Sequence, residues 1–599
     1  MSRIRLIGVA IFVLVASAAA TAGALTGTPG RAAQAGPVTV FPSPGTETAS
    51  AHSQISFRGV AADQLGTVEV SGSRSGTIDG EIRAHSDGRG ASFVPSERMR
   101  GGERITVRTG LTVRGASNGD FRYTIGRRPA PRQVNDGTLP LPTLPPGATD
   151  DFHSNPKLDS PVVRITTPAN GTAPGEILLA PFSPKGSPNP DGPMIVDDRG
   201  DLVWFNPLRR GTAVTDLKVQ ELDGKPVLTW WQGRFALGWG YGEYVVLDQA
   251  YHEVARIRPA SGYQSDLHDM VITPEGTAIT LSYDRVYADL RKVGGVRHGP
   301  VIDNVIQEVD LKTGLVLFEW HSLGRIALND ARIPPRGRQT WSAFHVNSID
   351  VDTDGNLLVS ARNTCAIYKI DRTTGTIIWT LGGEESDFRL DRPARFCFQH
   401  DVRRAGPGLI SMFDNEAGPP NLRKQSRAIK LAVNERSKRV RLAAQYQHPA
   451  KLLAPNQGSM RVQPNGDAFV GWGQIPVFTE FSPSGRVLFN GRLTKGKGNY
   501  RAIRAQWTGR PTTPPDVAAR NGADRITVWA SWNGATEVAR WEVLAGASPD
   551  ALQPAGSARR DGFETALSAP AGQAYVAVRA LDAAGNVLGT SRAIQPRGG

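Results

Sequence analysis

The feature that most constrains this chain is an internal repeat in the middle of the sequence. One half of the repeat is a strand, a turn and a strand, and it recurs as "TDLKVQELDGKPVLTWWQG", "HDMVITPEGTAITLSYD", "HVNSIDVDTDGNLLVSAR", "HDVRRAGPGLISMFDN" and "QGSMRVQPNGDAFVGWG". A second half, as in "YVVLDQAYHEVARIR" and "YKIDRTTGTIIWTLGG", follows after a variable loop. Together the halves predict four strands per unit, joined by glycine-containing hairpin turns. A further unit, "EILLAPF" with "PMIVDDRGDLVWF", precedes them and brings the number to six.

Equivalent unit starts fall 53, 77, 55 and 57 residues apart, at Thr215, His268, His345, His400 and Gln457. The long interval contains "DRVYADLRKVGGVRHGP" and "LGRIALNDARIPPRGRQT", which are natural insertions. Repeated four-stranded units are typical of a β-propeller, whose blades pack around a central channel. A stack of separate sandwiches is the weaker alternative, because no linker separates the units. We therefore predict an all-β chain with a six-bladed propeller over residues 161–510.

Shorter β-rich segments flank the repeat. Residues 36–127 alternate strands such as "ITVRTGLTV" with Gly, Ser and Asp turns and predict an immunoglobulin-like sandwich. Residues 128–160 are rich in proline, which is typical of a linker. Residues 515–599, with "RITVWASW" and "RWEVLAG", predict a fibronectin type III-like sandwich.

The first 35 residues have the pattern of an export signal. A short basic start precedes an apolar run with small residues, and Ala20-Thr21-Ala22 and Ala33-Gln34-Ala35 are candidate cleavage sites. The run is also long enough for an uncleaved N-terminal anchor, which would be the chain's membrane contact. We expect an exported protein, secreted or on the cell surface.

The net charge of +13 points toward anionic partners. The Lys and Arg residues are spread along the chain without a basic block, so we expect no nucleic-acid binding. Attraction to a polyanionic cell surface or wall, also through the end domains, fits this distribution. Binding of a small anionic substrate would be favoured only by positive charges close to its binding site.

Three histidines share one position of the repeat, so a propeller would bring them together at its channel. They are His268, His345 and His400. The end of the second strand in each unit is polar too, with Gln232, Asp284, Arg362, Asn363, Asp414 and Asn415. A single such histidine would be better explained by a structural role. Three that converge with an arginine favour function, because grouped cations cost stability unless a ligand compensates.

The same residues could hold a metal or an anion. Three histidines can bind a metal, with Asp269 and Asp401 nearby, but an aspartate directly after a histidine normally faces the other way along a strand. Arg362 would also repel a metal ion. A tetrahedral anion fits better, with the fork of Arg362, the histidines and the side chains of Asn347 and Asn363 as donors. We predict no metal.

"FHVNSIDVDTDGNLLVSARNTCAIYKIDRTTGTIIWTLGG" and "FQHDVRR" resemble the bacterial arylsulfotransferase family that does not use adenosine phosphosulfate. The resemblance covers roughly residues 180 to 507, and "SGSRSGTIDGEIRAHSDGRGASF" is similar to the N-terminal domain of actinobacterial members. It implies a six-bladed propeller that moves a sulfuryl group from an aryl sulfate to a phenolic acceptor without a cofactor. Transfer would follow a ping-pong route through a sulfated histidine.

Matched by motif, His400 in "QHD" corresponds to the sulfated nucleophile. His268 in "LHDM", His345 and Asn347 in "HVNS", and Arg362 in "SARN" correspond to residues that hold and polarise the sulfate. Sulfuryl transfer resembles phosphoryl transfer, in which catalysis is mostly positioning and charge stabilisation. Either His268 or His345 could protonate the departing phenol, and the sequence leaves that choice open.

Cys365 and Cys397 are the two cysteines of the chain. In an oxidising compartment two lone cysteines more often pair than stay free, so we predict a disulfide that joins the fourth and fifth units. The alternative is two buried thiols. Walls for a phenol could come from Trp231, Phe344, Tyr283 or Trp472, each of which is also a candidate core residue.

Two other functions compete with sulfuryl transfer. A non-catalytic propeller could bind anionic glycans or cell-wall polymers, with the end domains as adhesive spacers. A quinone-dependent propeller dehydrogenase would need calcium-binding carboxylates and a recurrent tryptophan motif, which the sequence lacks.

Overall fold

A computed structural model describes residues 37–129, 148–183, 190–236, 238–418 and 420–598. The predicted signal or anchor at residues 1–35, and residues 130–147 of the predicted linker, lie outside the described residues. The described chain is all-β, as the sequence predicts, and its helical segments are single 3₁₀ turns. These are Ala62–Gln64, Arg291–Val293, Leu328–Asp330, Arg362–Thr364 and Arg392–Ala394. In the part of the chain described, no helix has the length and apolarity needed to cross a membrane.

The N-terminal region forms two antiparallel sheets that share one core. Its strands are β1 (Thr39–Phe41), β2 (Ile55–Arg58), β3 (Val68–Gly72), β4 (Gly76–Thr77), β5 (Gly80–Ala84), β6 (Gly90–Pro95), β7 (Arg104–Thr109) and β8 (Phe121–Thr124). The sheet orders are β1-β2-β6-β5 and β4-β3-β7-β8. Apolar side chains from alternate positions of both sheets, including Phe57, Ile105 and Tyr123, are buried between them.

Thirty strands build the described part of the middle region. They are β9 (Thr149–Asp150), β10 (Ser160–Pro161), β11 (Val163–Thr167), β12 (Glu176–Leu179), β13 (Pro181–Phe182), β14 (Met194–Val196), β15 (Leu202–Phe205), β16 (Ala213–Leu222), β17 (Lys225–Phe235), β18 (Gly240–Leu247), β19 (Glu253–Ile257), β20 (Met270–Ile272), β21 (Thr277–Ala288), β22 (Gly299–Asp310), β23 (Val316–His321), β24 (Val346–Val351), β25 (Leu357–Ala361), β26 (Ala366–Ile370), β27 (Ile377–Gly382), β28 (Arg389–Leu390), β29 (His400–Arg404), β30 (Leu409–Asp414), β31 (Arg427–Asn434), β32 (Arg439–Tyr446), β33 (Ser459–Val462), β34 (Ala468–Gly471), β35 (Val477–Phe481), β36 (Val487–Leu493), β37 (Gly498–Asn499) and β38 (Ile503–Ala505).

Most of these strands belong to six sheets of four or five strands that follow the repeat. Three sheets have the simple orders β16-β17-β18-β19, β20-β21-β22-β23 and β24-β25-β26-β27, and a fourth has β28-β32-β31-β30-β29. The other two contain a strand from a distant part of the chain. β11 pairs with β36 at the outside of β33–β36, and β38 pairs with β12 at the edge of the first sheet. The two ends of the repeat region are therefore held by strand pairing across the sequence.

In each of the six sheets one edge strand contacts an edge strand of the next sheet. β16 contacts β20, β20 contacts β24, β24 contacts β29, and β29 contacts β33. β33 contacts β38, and β38 contacts β16. Between neighbouring sheets lie apolar cores that contain fully buried tryptophans, such as Trp320, Trp379 and Trp472. This succession places the unit starts side by side, although they are far apart in sequence.

The C-terminal region again forms two sheets around one core. Its strands are β39 (Asp516–Asn521), β40 (Arg525–Ser531), β41 (Arg540–Gly546), β42 (Gln553–Arg559), β43 (Glu564–Pro570), β44 (Tyr575–Leu581) and β45 (Val587–Thr590). The orders are β39-β40-β43 and β42-β41-β44-β45, with Trp541 buried between the two sheets. The region is attached to the first repeat sheet through Asn533, which bonds to the backbone N–H and C=O of Phe205 at 3.0 and 2.9 Å.

Candidate active site

The structure brings together the three histidines that share a repeat position. His268 and His345 precede β20 and β24, and His400 is the first residue of β29. The ring centroids of His268 and His345 are 5.0 Å apart, in an edge-to-face arrangement. The centroid of the Tyr500 ring lies 5.6 Å from that of His268 and 6.4 Å from that of His400, so Tyr500 lies between these two histidines. We call His268, His345, His400 and Arg362 the histidine site.

Hydrogen bonds fix the tautomer of His400. The Asn415 amide nitrogen donates to the carbonyls of Ala454 at 3.0 Å and Gln457 at 2.9 Å, which turns its Oδ1 toward His400. His400 Nδ1 therefore donates to Asn415 Oδ1, at 2.7 Å. Its Nε2 accepts a 3.2 Å bond from the backbone N–H of Gln457, so Nε2 carries the lone pair. A neutral imidazole with a defined basic nitrogen is suited to act as a nucleophile.

Two of the three histidines are held neutral. Burial lowers the pKa of His400 well below its usual value, and the positive charge of Arg362 adds to the effect. Burial, together with His268 and Arg362, also lowers the pKa of His345 well below its usual value. His345 Nδ1 lies 3.3 Å from the Ser342 hydroxyl oxygen, and its backbone has a φ of 56°. A left-handed histidine costs conformational energy, a feature that clusters at functional sites.

Arg362 is a cation with neutral partners. Its guanidinium donates to Asn363 Oδ1 at 2.8 Å and to the backbone carbonyls of Ala417 and Pro455 at 3.3 and 3.2 Å. The Nε atom is buried without a hydrogen-bond partner, and Cζ lies 4.8 Å from the Phe398 ring centroid. Among the described residues no carboxylate forms an ion pair with it. Burial lowers the pKa of Arg362 to about 10, so the group stays charged at neutral pH.

The two asparagines predicted to bind substrate have different positions. Both polar atoms of the Asn363 side chain are engaged: Oδ1 accepts from Arg362, and the amide nitrogen donates to the carbonyl of Ser342 at 2.7 Å, so Asn363 orients the arginine. The Asn347 amide nitrogen donates to the Gln399 carbonyl at 2.7 Å, and its Oδ1 is buried without a partner. Asn347 is thus the one whose side chain keeps a free polar atom in the part of the molecule described.

Asp266 is a residue of the site that the sequence analysis missed. Its Oδ2 accepts bonds from the backbone N–H of His268, at 3.0 Å, and from His268 Nδ1, and its Oδ1 accepts from the Gly240 N–H at 2.9 Å. The spacing of two residues in "DLH" places both side chains on one side of an extended segment and could have indicated the pair. Tyr500 was missed because it lies beyond the last repeat.

The other polar strand ends do not contact the histidines, apart from Asn415. Asp284 forms a bidentate pair with Arg128, and Asp414 pairs with Arg427 at 2.9 Å. Gln232 donates to Glu243 at 3.4 Å. Of the aromatic candidates, Tyr283 stacks on His268 at 5.2 Å between centroids, whereas the rings of Trp231, Phe344 and Trp472 are buried in the cores between sheets.

The predicted disulfide is present between Cys365 and Cys397, whose Cα atoms are 4.4 Å apart. The bond joins the end of the β25 segment to the chain that leads into β29, so it links the fourth and fifth repeat sheets. Phe398 packs with both cysteines, and the Arg362 guanidinium lies over its ring. The disulfide therefore lies next to the aromatic ring that Arg362 contacts.

A buried group of ion pairs adjoins the histidine site, and we call it the ion network. Its members are Asp216, Asp269, Asp401, Lys218, Arg403, Arg461 and Arg501. Arg501 is fully buried, contacts all three aspartates, and donates to the Asn347 carbonyl at 3.0 Å. Burial disfavours the Asp269 anion, but Arg403, Arg501 and Lys218 lower its pKa well below the usual value. Asp269 and Asp401 thus form ion pairs with these cations and not with the histidines.

No group of three or more His, Cys, Asp or Glu side chains has the arrangement of a metal site within the described ranges. What the site offers an anion is a cation, two neutral imidazoles and one imidazole paired with a carboxylate. This combination suits an anionic substrate that reacts at a nucleophilic nitrogen.

Comparison with known proteins points to one family. Residues 218–494 match the model of the arylsulfotransferase family (ASST). The match supports the arylsulfotransferase family for this segment and suggests a sulfotransferase enzyme. All the histidine-site residues fall within the matched segment. No curated protein matches the chain.

Several solved structures show distant likeness. A protein of unknown function from Bacteroides caccae is 14% identical, covering 55% of this chain and 98% of its own, with a TM-score of 0.33. A catalytically inactive virginiamycin B lyase from Staphylococcus aureus is 9% identical, covering 62% and 97%, with a TM-score of 0.29. The periplasmic gluconolactonase of Pseudomonas aeruginosa is 12% identical, covering 70% and 96%, with a TM-score of 0.31. At these scores the likenesses carry no argument about function.

Proposed function

We propose that this protein is an exported arylsulfotransferase that moves a sulfuryl group from an aryl sulfate to a phenol by a ping-pong route through sulfated His400. The observation that carries the proposal is the pairing of a neutral, oriented His400 with Arg362, a half-buried cation that has no carboxylate partner among the described residues. A partly desolvated cation without an anionic partner is costly unless a ligand anion compensates it. An aryl sulfate supplies that anion.

In the first half-reaction the lone pair of His400 Nε2 attacks sulfur. The nitrogen–sulfur bond forms as the bond from sulfur to the aryl oxygen breaks. The electron pair stays on the aryl oxygen, which takes a proton from His268 or His345 and leaves as the phenol. Charge on the three remaining sulfate oxygens is stabilised by Arg362 and by donors around it. Asn415 keeps the Nδ1 proton of His400 in place, so the same nitrogen is used in both halves. In the second half the oxygen of an acceptor phenol attacks sulfur, its proton returns to the same histidine, and breakage of the nitrogen–sulfur bond restores neutral His400.

We further propose that the six repeat sheets form a six-bladed propeller. The contacts that run from β16 through β20, β24, β29, β33 and β38 back to β16 support this arrangement. The exchanged strands β11 and β38 would join its first and last blades. The N- and C-terminal sheet pairs would be immunoglobulin-like and fibronectin type III-like sandwiches, available for contact with a cell surface.

The decisive experiment incubates the purified protein with a chromogenic aryl sulfate, with and without an acceptor phenol. We expect phenol release to depend on the acceptor, and mass spectrometry after donor alone to find one SO₃ group on a peptide that contains His400. His400→Ala should lose both signals and keep its melting temperature. Equal release by His400→Ala, or a label on another residue, would contradict the assignment. Binding of inorganic sulfate without any turnover would favour a non-catalytic anion-binding propeller.

A further inference from the structure

The two histidines that could serve the leaving phenol have different environments. His268 has a carboxylate partner, since Asp266 accepts a bond from its Nδ1, and the Asp266 side chain is fully buried. His345 has the hydroxyl of Ser342 as its ring partner, at 3.3 Å. A buried carboxylate stabilises an imidazolium, whereas a hydroxyl does so weakly. Of the two rings, His268 is therefore the one whose hydrogen-bond partner suits a proton-donating role.

The other ionisable groups around the His268 ring do not change this assignment. They are His345, His400, Tyr283, Tyr500 and, next along the chain, Asp269. Burial raises the pKa of Tyr283 and Tyr500 well above the usual value, so both phenols stay neutral. Asp269 is engaged by Lys218 and Arg403. Among the described residues, Asp266 is thus the anion that acts directly on the His268 ring.

We propose that Asp266 and His268 form the proton-donating dyad of the transferase, with His268 as the general acid and Asp266 as its positioning residue. The inference rests on the proposed function and decides which histidine handles the proton. Because Asp266 bonds to Nδ1, the opposite ring nitrogen, Nε2, is the one available to substrate. Asp266 also bonds to the N–H groups of His268 and Gly240, so the ring and its loop are fixed by one carboxylate.

The proton balance closes over the full cycle. As the sulfur–oxygen bond breaks, the proton on His268 Nε2 moves to the aryl oxygen, and His268 becomes neutral with Nδ1–H still bonded to Asp266. His400 then carries the sulfuryl group on Nε2. In the second half the acceptor phenol returns its proton to His268 Nε2 while its oxygen attacks sulfur and the nitrogen–sulfur bond breaks. His345 stays neutral throughout and serves as a hydrogen-bonding partner for the sulfate.

The test measures formation of the sulfated protein from donors whose phenols differ in acidity. A nitrophenol leaves readily without a proton, whereas an unsubstituted phenol, whose pKa is about 10, needs one. With Asp266→Asn we expect the rate to fall by about 10²-fold or more for phenyl sulfate, but by less than about 10-fold for nitrophenyl sulfate. Ser342→Ala, which removes the ring partner of His345, should lower both rates by one common factor.

Each outcome decides between the alternatives. A purely structural role for Asp266 would lower both rates by the same factor, and that result would overturn the inference while leaving the proposed function intact. If Asp266→Asn does not fold, Asp266→Glu should keep the shallow dependence on leaving group, and His268→Gln should show the steep one. A shallow dependence in His268→Gln would also overturn the inference. If the wild type forms no sulfated protein with any donor, both the function and the dyad are wrong.

Discussion

The histidine site and the ion network are adjacent, and their positively charged side chains have opposite kinds of partner. In the ion network each arginine and lysine has an aspartate within 3.0 Å, and Arg501 contacts three. In the histidine site Arg362 has only neutral partners in the described part of the chain. Paired charges hold strands together, whereas an unpaired cation is available to a ligand. Substitutions in the two groups should therefore separate stability from activity.

The largest effect on stability is expected for Arg501→Met. This change leaves Asp216, Asp269 and Asp401 buried with fewer cations, and breaking a buried ion pair costs about 3 to 5 kcal/mol. Urea denaturation should show this loss in the free energy of unfolding. Arg395→Met, at an exposed position, is the matched control and should change stability by less than about 0.5 kcal/mol. Equal stability of the Arg501 variant would show that the network is not a structural element.

Arg362→Met should have the opposite effect, with a large loss of activity and a small loss of stability. Loss of a donor to the developing charge lowers rates by about 10²- to 10³-fold, so the rate of His400 sulfation should fall by that factor. Because Arg362 has no ion pair to lose, the free energy of unfolding should change by less than about 1 kcal/mol. Stopped-flow release of phenol and urea denaturation measure the two quantities on one preparation. A large stability loss with normal sulfation would reverse the comparison.

The site residues that can be predicted from the sequence are those at equivalent positions of the repeat units. His268, His345 and His400 begin equivalent units, and Arg362 ends an equivalent strand, so the succession of sheets brings them together. Asp284 and Asp414 occupy positions equivalent to that of Arg362, but they form ion pairs with Arg128 and Arg427. A buried carboxylate pairs with a cation that lies near it in the folded chain. The repeat pattern does not show where such cations lie.

Residues that lie outside the repeat could not be predicted from it. Tyr500 follows the last unit, and its position between two histidines depends on the pairing of β38 with β12. That pairing joins segments more than 300 residues apart, so no local pattern specifies it. Asp266 precedes the start of its unit by two residues, so the repeat does not mark it. The all-β class, by contrast, follows directly from alternation and turns in the sequence.

The pH dependence of stability should have opposite signs for histidines with and without carboxylates. His400 and His345 have pKa values well below the usual 6.5. Below pH 6.5 the unfolded chain binds protons that the folded one does not, so each costs up to about 1.4 kcal/mol per pH unit as the pH falls. His400→Gln should reduce this acid sensitivity in urea denaturation at pH 5 compared with pH 7. An unchanged slope would show that His400 is protonated in the folded protein.

His321 provides the contrasting case, at the contact between the N-terminal region and β22–β23. Burial disfavours its charge, but Asp303 at 2.7 Å and Glu319 at 3.0 Å raise its pKa to about 10. Its contribution to stability is fully present below pH 6.5 and is lost as the pH rises from 6.5 to about 10. His321→Gln should be less stable than wild type at pH 6 and should approach it at pH 10. A constant difference across that range would exclude the charged pair.

The smallest expected effect is stabilisation by inorganic sulfate, and it tests the comparison without any turnover. An anion that binds only the folded protein raises the free energy of unfolding by RT ln(1 + [L]/Kd), about 1.4 kcal/mol at a concentration ten times Kd. Sulfate also stabilises proteins generally because it is excluded from their surfaces. Arg362→Met and Arg395→Met separate the two contributions. Wild type and Arg395→Met should gain the specific increment at millimolar sulfate, and Arg362→Met should retain only the general one. An equal gain in all three proteins would mean that Arg362, although unpaired, does not bind the anion.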